Sequence, residues 1–286
     1  TLPIGSAPQG LFVDADNVYW TNAGSGEVMQ IKKDGTGSVT LATEQGAPFS
    51  VFVSEGFVYW ISYSGDGVMR KAPIGGGPLV DIVGAPAARE LVVASGYVFW
   101  SREPDDIERV PIEGLPDGGM TTLLSMNALS NGIIADQDTL YWVNRQDGTV
   151  KKSNFNLGSD QVLAVGDQPW DIVVDGTSIY WTERGSGPGV GKVMKAPKAG
   201  GATVEIAAMQ DGPRGIAVDD THVCFDVGLR EKMQRMRHKG LPNETGGILL
   251  GYHDNNINTV FVVDAFPAPS DSVASTASFE RGRQKV

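Results

Sequence analysis

Cysteine is almost absent: Cys224 stands alone among 286 residues, so no intrachain disulfide can form and the redox compartment cannot be read from cysteine usage. Histidine is nearly as scarce. His222, His238 and His253 show no H-x-x-x-H or H-x-E spacing, which removes the helical zinc motifs. No apolar run approaches the roughly 18 residues of a membrane span, so no membrane insertion is expected. Positive charge is in deficit, with 23 Lys and Arg against 34 Asp and Glu and a formal net charge of −11. A field of that sign disfavours nucleic acid and anionic membrane surfaces, and no nucleic-acid partner is expected. Nucleophile elbows and phosphate loops are missing too. The stretch "GSGPGVGK" (185–192) lacks the G-K-[ST] ending, since Val193 follows Lys192, and it opens a strand rather than a helix. The chain begins at Thr1 rather than Met, which reads as a processed or truncated chain without its signal segment.

What the chain does hold is repetition. With 41% hydrophobic residues, 20% charged residues and 37 glycines, it has the composition of a turn-rich globular β protein. "DNVYWTN" returns as "GFVYWIS", "GYVFWSR", "DTLYWVN" and "TSIYWTE", and the closing aromatics Trp20, Trp60, Trp100, Trp142, Trp181 and Phe225 recur at a period of about 41. An apolar strand precedes each anchor ("GLFVD", "SVFVS", "ELVVA", "GIIAD", "DIVVD", "GIAVD"). A Gly-rich loop, a third strand such as "GEVMQIKK" and a fourth such as "VTLAT" follow. Four antiparallel strands per repeat, with Gly and Asp-Gly at the turns, cannot bury both sheet faces alone; a ring of such sheets can. Five of the six tryptophans occupy one repeat position, where an aromatic fills the wedge between neighbouring sheets.

"VYWTN" and "IYWTE", preceded by "GLFVD" and "DIVVD", resemble the YWTD and NHL groups of β-propeller repeats, most closely the bacterial extracytoplasmic kind, over about residues 1 to 250. The resemblance implies an all-β propeller of four-stranded antiparallel blades in an extracytoplasmic setting (periplasmic, secreted or surface-attached). It specifies no activity. "VYWIS", "VFWSR", "LYWVN" and "VCFDV" depart from the tetrapeptide, so receptor-type ligand binding does not carry over. A single propeller domain over 1–286 is expected, with repeats near 9–48, 49–88, 89–130, 131–169, 170–213, 214–257 and 258–286 plus 1–8. Seven blades are preferred. "NTVFVVD" (258–264) would be the leading strand of the last, "SVASTAS" its second, "RGRQKV" its third, and "TLPIG" at the N-terminus its closing strand, which would remove exposed edges. Six blades with a C-terminal extension is the alternative.

In such a blade the leading strand lines the central channel, and its first residues share a rim with the loop joining the second and third strands. The leading positions are Gln9, Phe49, Arg89, Asn131, Trp170 and Arg214; inward of them stand Gly10, Ser50, Glu90, Gly132, Asp171 and Gly215. The loops add Asn22, Tyr63, Arg102, Arg145, Arg184 and Arg230. Trp170 is the one tryptophan outside the packing position, and six of twelve arginines map to this rim. Arginine holds planar carboxylate or phosphate bidentately, and Phe49, Tyr63 and Trp170 add faces for ring stacking. Rim carboxylates, among them Glu90, Glu103, Asp105, Asp106, Asp147, Asp171, Glu183, Asp226 and Glu231, are numerous enough to pair with every one of these arginines. The expectation is a monomeric binding propeller taking an anionic small molecule, glycan or peptide at the channel mouth. An enzyme (a lyase or lactonase-like hydrolase on an anionic, uronate-like substrate, with His253, Glu90 or Asp171 moving the proton) and a protein-docking scaffold are the alternatives. No resident cofactor or metal is expected; a divalent cation at the mouth is left open by the carboxylates there.

Overall fold

The structure is a computed structural model that describes residues 6–64, 67–102, 106–115, 121–125, 130, 132–155, 160–218, 223–225, 247–254, 259–267, 273–274 and 279–280, with 122–125 and everything from 247 described by backbone alone. Five four-stranded antiparallel sheets follow one another along the chain. Sheet 1 holds Pro8–Val13, Asn17–Asn22, Glu27–Lys32 and Val39–Ala42, and sheet 2 holds Pro48–Ser54, Phe57–Ser62, Val68–Pro73 and Val80–Gly84. Sheet 3 holds Ala88–Ala94, Tyr97–Arg102, Asp106–Pro111 and Thr122–Ser125. Ile133–Asp136, Thr139–Asn144, Thr149–Asn154 and Gln161–Val165 form sheet 4, while sheet 5 holds Pro169–Val174, Ser178–Glu183, Gly191–Pro197 and Val204–Gln210. A sixth begins with Ile216–Val218 paired to Val223–Phe225. In every sheet the strands lie in chain order, and each leading strand contacts the leading strand of the next sheet from sheet 1 to the sixth. The leading strands therefore lie side by side along one edge of the succession of sheets.

Local chemistry sets the turns. In sheets 1 and 5 the Asp that ends the leading strand accepts N–H groups two and three residues on (Asp14 from Asp16 and Asn17, Asp175 from Thr177 and Ser178). Its other oxygen accepts the hydroxyl of Tyr19 or Tyr180 at 2.7 and 2.6 Å. The "VD…VYW" spacing is thus one Asx-turn clamped by a tyrosine. Burial pushes the Asp175 carboxyl up, but those hydrogen bonds outweigh it and hold the group down at about 2. In sheets 1, 2 and 4 a glycine with positive φ stands directly before the third strand. A Cβ on Gly148 would sit 2.6 Å from the carbonyl oxygen of Gly166, so both the backbone region and the space demand glycine there.

The core is a series of layers between sheets. Tyr59, Ile61 and Met69 of sheet 2 pack on Leu91, Val98 and Trp100 of sheet 3. Tyr19, Val28 and Leu41 pack in the same way on Val51, Val58 and Trp60, and Tyr141, Val143 and Val150 on Ile172, Ile179 and Trp181. At these interfaces the tyrosine of a repeat faces the following sheet and the tryptophan faces the preceding one; Trp60, Trp100, Trp142 and Trp181 are 0 or 1% exposed. Alternation along one strand therefore serves two interfaces.

Polar ties cross the same boundaries at a fixed third-strand position. Lys71 Nζ donates to the Ile112 carbonyl at 2.8 Å, Arg109 to that of Phe155, and Lys152 to that of Lys198 at 2.7 Å; at the corresponding place Gln30 Oε1 accepts from Gly75 N at 2.8 Å. Lys71 is 5% exposed and also lies over the rings of Phe57 and Tyr59 at 5.0 and 6.0 Å. Third-strand cations thus staple neighbouring sheets together.

One face stays apolar and open. Leu11 is 65% exposed and Val13 48%, whereas the residues in the place of Leu11 in the other sheets, Val51, Leu91, Ile133, Ile172 and Ile216, are 2 to 8% exposed. Further on, Gly247–Asp254 and Thr259–Pro267 pair with each other as an antiparallel hairpin, Gly247 opposite Pro267 and Asp254 opposite Thr259. The sequence reading instead makes them the outer strand of one repeat and the leading strand of the next; only four residues separate them, a length suited to a hairpin. Val273–Ala274 pairs with Phe279–Glu280. The "TLPIG" closing strand and "RGRQKV" lie outside the described residues.

Replacing Lys71 by Met leaves the Ile112 carbonyl without its donor and removes two cation–π contacts. A loss of about 2 kcal/mol in denaturant unfolding is expected. Lys33→Met, at an exposed position, stays within about 0.5 kcal/mol.

Candidate functional site

Where the leading strands begin, the chain makes a repeated kink. Ala7, Ala47 and Gln168, each directly before the proline that opens a leading strand, have φ of 53°, 49° and 54°. Their carbonyls accept the N–H of Ala23, Tyr63 and Arg184 at 3.0 to 3.1 Å. That bond folds the residue three places after the anchor tryptophan over the start of the leading strand. Side chains from both segments thereby share one rim.

The rim opens on a cavity of about 600 Å³. Gln9, Phe49, Arg89, Trp170 and Arg214 line it, with Glu90 and Asp171 one residue further along their strands. All of these come from the leading positions read off the repeat. Leu11, Ile216, Ala217, Cys224 and Phe225 supply a less polar wall that the sequence reading missed. The repeat alignment could have found Leu11 and Ile216, which follow the mapped positions by one residue.

Trp170 is the focus of the cations. The guanidinium carbons of Arg145, Arg184 and Arg214 lie 5.2, 4.6 and 5.1 Å from its ring, and they come from sheet 4, sheet 5 and the start of the sixth. Each such contact contributes about 0.5 to 2 kcal/mol, depending on desolvation. Gathering three like charges at one ring concentrates positive potential on a protein whose total charge is negative. A second aromatic group stands on the same rim: Phe49 and Tyr63 lie 5.9 Å apart, and Arg89 sits 5.7 Å from the Tyr63 ring.

Arg102 does not join them. It pairs with Asp106 at 3.1 Å and Glu108 at 2.6 Å within its own sheet. The physical reason is register: Arg102 is two residues after Trp100, whereas Tyr63, Arg145 and Arg184 are three after their tryptophans. A shift of one residue turns a strand side chain to the other face, and the equivalents of Arg102, namely Asn22, Ser62, Asn144 and Glu183, are all buried. Asn22, mapped to the rim with Arg102, belongs to this buried set. Asn131 and Arg230 lie outside the described residues, as do the side chain of His253 and the two other histidines. Among the described residues no three His, Cys, Asp or Glu side chains gather as a metal site. The loop at 185–192 borders a separate cavity of about 280 Å³ beside Arg184, and its Ser186 N–H donates to Asp167 at 3.0 Å.

Glu90 and Asp171 form the chemically unusual part. Ser50 Oγ donates to Glu90 Oε1 at 2.8 Å, and Asp171 accepts N–H bonds from Ile172 at 2.8 Å and Ile216 at 3.1 Å. Burial, and then the Asp171 charge, push Glu90 up to about 8 against the Ser50 bond; burial pushes Asp171 up to about 7 against its two backbone donors. Each group keeps part of its surface open to the cavity. Better supplied with donors, Asp171 takes the charge first, and Glu90 holds the proton at neutral pH. Gly132 makes room for this pair: a Cβ there would lie 2.8 Å from Asp171 Oδ1 and 2.7 Å from its Cα.

No family model matches the chain. Over 40 residues it is 45% identical to a CD-NTase/cGAS isopeptidase of Enterobacter hormaechei subsp. hoffmannii (strain UCI 50), a match covering 14% of this chain and 22% of that protein. Among solved structures it is similar to a chain of a nidogen/laminin complex, with TM-score 0.57, 20% identity, and 68% of this chain and 77% of that one covered. It is also similar to streptogramin B lyase, with TM-score 0.52, 13% identity, and 78% and 91% covered. At these identities the likeness concerns the fold alone, a β-propeller of antiparallel four-stranded sheets.

A carboxyl whose pKa is higher in the folded than in the unfolded chain makes the native state bind more protons, so rising pH favours unfolding between the ordinary Glu value and the raised one. The melting temperature is therefore expected to fall from about pH 5 to pH 8, and Glu90→Gln to flatten that slope. Gly132→Ala, driving a methyl into Asp171, is expected to lower stability at every pH.

Proposed function

We propose that the channel mouth binds an anionic ligand, a small molecule, glycan or peptide, recognised by the guanidinium groups around Trp170. The observation that carries this reading is the convergence of Arg145, Arg184 and Arg214 on one indole at the rim of the 600 Å³ cavity. A planar guanidinium matches carboxylate or phosphate through parallel N–H groups, and contact with an aromatic ring reduces the freedom it must give up on binding. Phe49 and Tyr63 offer stacking faces for a ring-bearing ligand on the same rim.

A second reading, proton-transfer chemistry on an anionic substrate, draws on the acid pair. Glu90 holding a proton near neutral pH has the property a general acid needs, and nearby guanidinium groups stabilise a developing oxyanion. Binding is the better supported of the two, because three arginines from separate sheets and Trp170 are already assembled at one opening. The extracytoplasmic, monomeric and seven-bladed expectations stand with this proposal as parts of the same picture. In that picture the C-terminal part of the chain covers the Leu11–Val13 face.

Arg214→Ala and Trp170→Ala are each expected to weaken binding of anionic members of a glycan and metabolite panel at least about tenfold by calorimetry. Unchanged affinity for every member would sink the binding reading. Leu11→Asp, on the face proposed to be covered, is expected to cost about 2 to 4 kcal/mol in unfolding; a shift under about 0.5 kcal/mol would show that face to be open.

A further inference from the structure

The floor of the cavity has the opposite charge character to its rim. Glu90 and Asp171 come from sheets 3 and 5, and both face the space that Trp170 and Arg214 border. Donors reach them sparingly: one hydroxyl to Glu90 Oε1, and one backbone N–H to each oxygen of Asp171. No second donor to the other Glu90 oxygen is present among the described residues. Among the described residues no cation is one of the groups acting on either carboxyl, and Arg102 is spent on Asp106 and Glu108.

Two carboxyls placed together without a cation cannot both ionise cheaply, and they retain a proton instead. Such a site is completed by a positive group arriving with the ligand. Space for one is present. Of the six inward positions, Gly215 is the glycine that leaves room, since a Cβ there would meet nothing within 4 Å. Two carboxyls would leave a hard divalent ion to fill most of its shell with water, whereas an ammonium needs only a few acceptors and presents its own N–H donors.

We propose that the Glu90–Asp171 pair receives a protonated nitrogen of the ligand, so that the cavity takes a zwitterion, its anionic end at the arginines around Trp170 and its ammonium on the floor. This rests on the anion-binding reading and narrows it to one ligand class. Ile216 and Phe225 flank the same cavity and suit an apolar segment between the two charges. Binding exchanges a proton for the ligand cation, because the ammonium takes over the role that the retained proton plays in the empty site.

The test uses the whole chain and three ω-amino acids, β-alanine, γ-aminobutyrate and ε-aminocaproate, each beside its N-acetyl and desamino counterparts. Affinities and proton release are read by calorimetry in buffers of different ionisation heat at pH 7. At least one amino acid is expected to bind about tenfold or more tighter than both its counterparts and to release a proton. Glu90→Gln is expected to collapse that preference to less than about threefold. Proton release by the unaltered chain is an independent readout should the variant fold poorly, and Asp171→Asn is the second variant. Counterparts that bind as tightly as the amino acid, binding without proton release, an undiminished preference in Glu90→Gln, or no binding by any of the nine compounds would each overturn the proposal. Desamino acids that bind, and lose affinity in Arg214→Ala, would leave the anion reading standing while the zwitterion falls.

Discussion

The structure depends on one constraint: a four-stranded sheet of this sequence is apolar on both faces, so each sheet must be covered by its neighbours. The "YW" pair meets this requirement within a single strand, because successive side chains point to opposite faces, tyrosine toward the following sheet and tryptophan toward the preceding one. Burying an aromatic of this size stabilises by a few kcal/mol, and the same layer recurs between every consecutive pair of sheets described. Third-strand cations then fix the distance between neighbours, their ammonium or guanidinium groups donating to carbonyls that would otherwise lack a partner across the boundary.

From that stacking follows everything chemical about the channel mouth. Leading strands lie side by side, so residues some forty positions apart in sequence become neighbours, and residues eighty apart face a common space. Hydroxyls mark these contacts: Thr21 Oγ1 takes the N–H of Gly10 and donates to the Phe49 carbonyl of the next sheet, and Thr182 does the same between Asp171 and Arg214. The rim is held by backbone and hydroxyl bonds, which leaves the side chains at its leading positions free to vary from repeat to repeat. Arginine and aromatic residues fill the outer level, carboxyls and glycines the inner one.

Much of this was legible beforehand because the repeat is read by counting. A period near 41 and a strand alternation of two are enough to place Trp170, Arg89 and Arg214 at one opening, and to see Trp170 as the tryptophan with no packing duty. Counting failed where one residue mattered. Counting reads Arg102 as a rim arginine, but it sits at the register of the buried Ser62 and Asn144 and is held by ion pairs to Asp106 and Glu108. The role of the third-strand lysines was hidden for another reason, since a staple between sheets depends on which carbonyl the neighbouring turn presents. Nor could the coupling of Glu90 to Asp171 be read from spacing, because it depends on how closely neighbouring leading strands approach, as they do at Gly132.

That coupling is the most direct measure of the central claim, that distant repeats converge on one opening. Carbon-detected NMR titration of the Glu90 and Asp171 side-chain carboxyls, in the unaltered chain and in Asp171→Asn, reads it without any ligand. The account predicts that both groups titrate well above the ordinary carboxylate range, and that removing the Asp171 charge lowers the Glu90 midpoint. Two ordinary, independent titrations near pH 4 would contradict it.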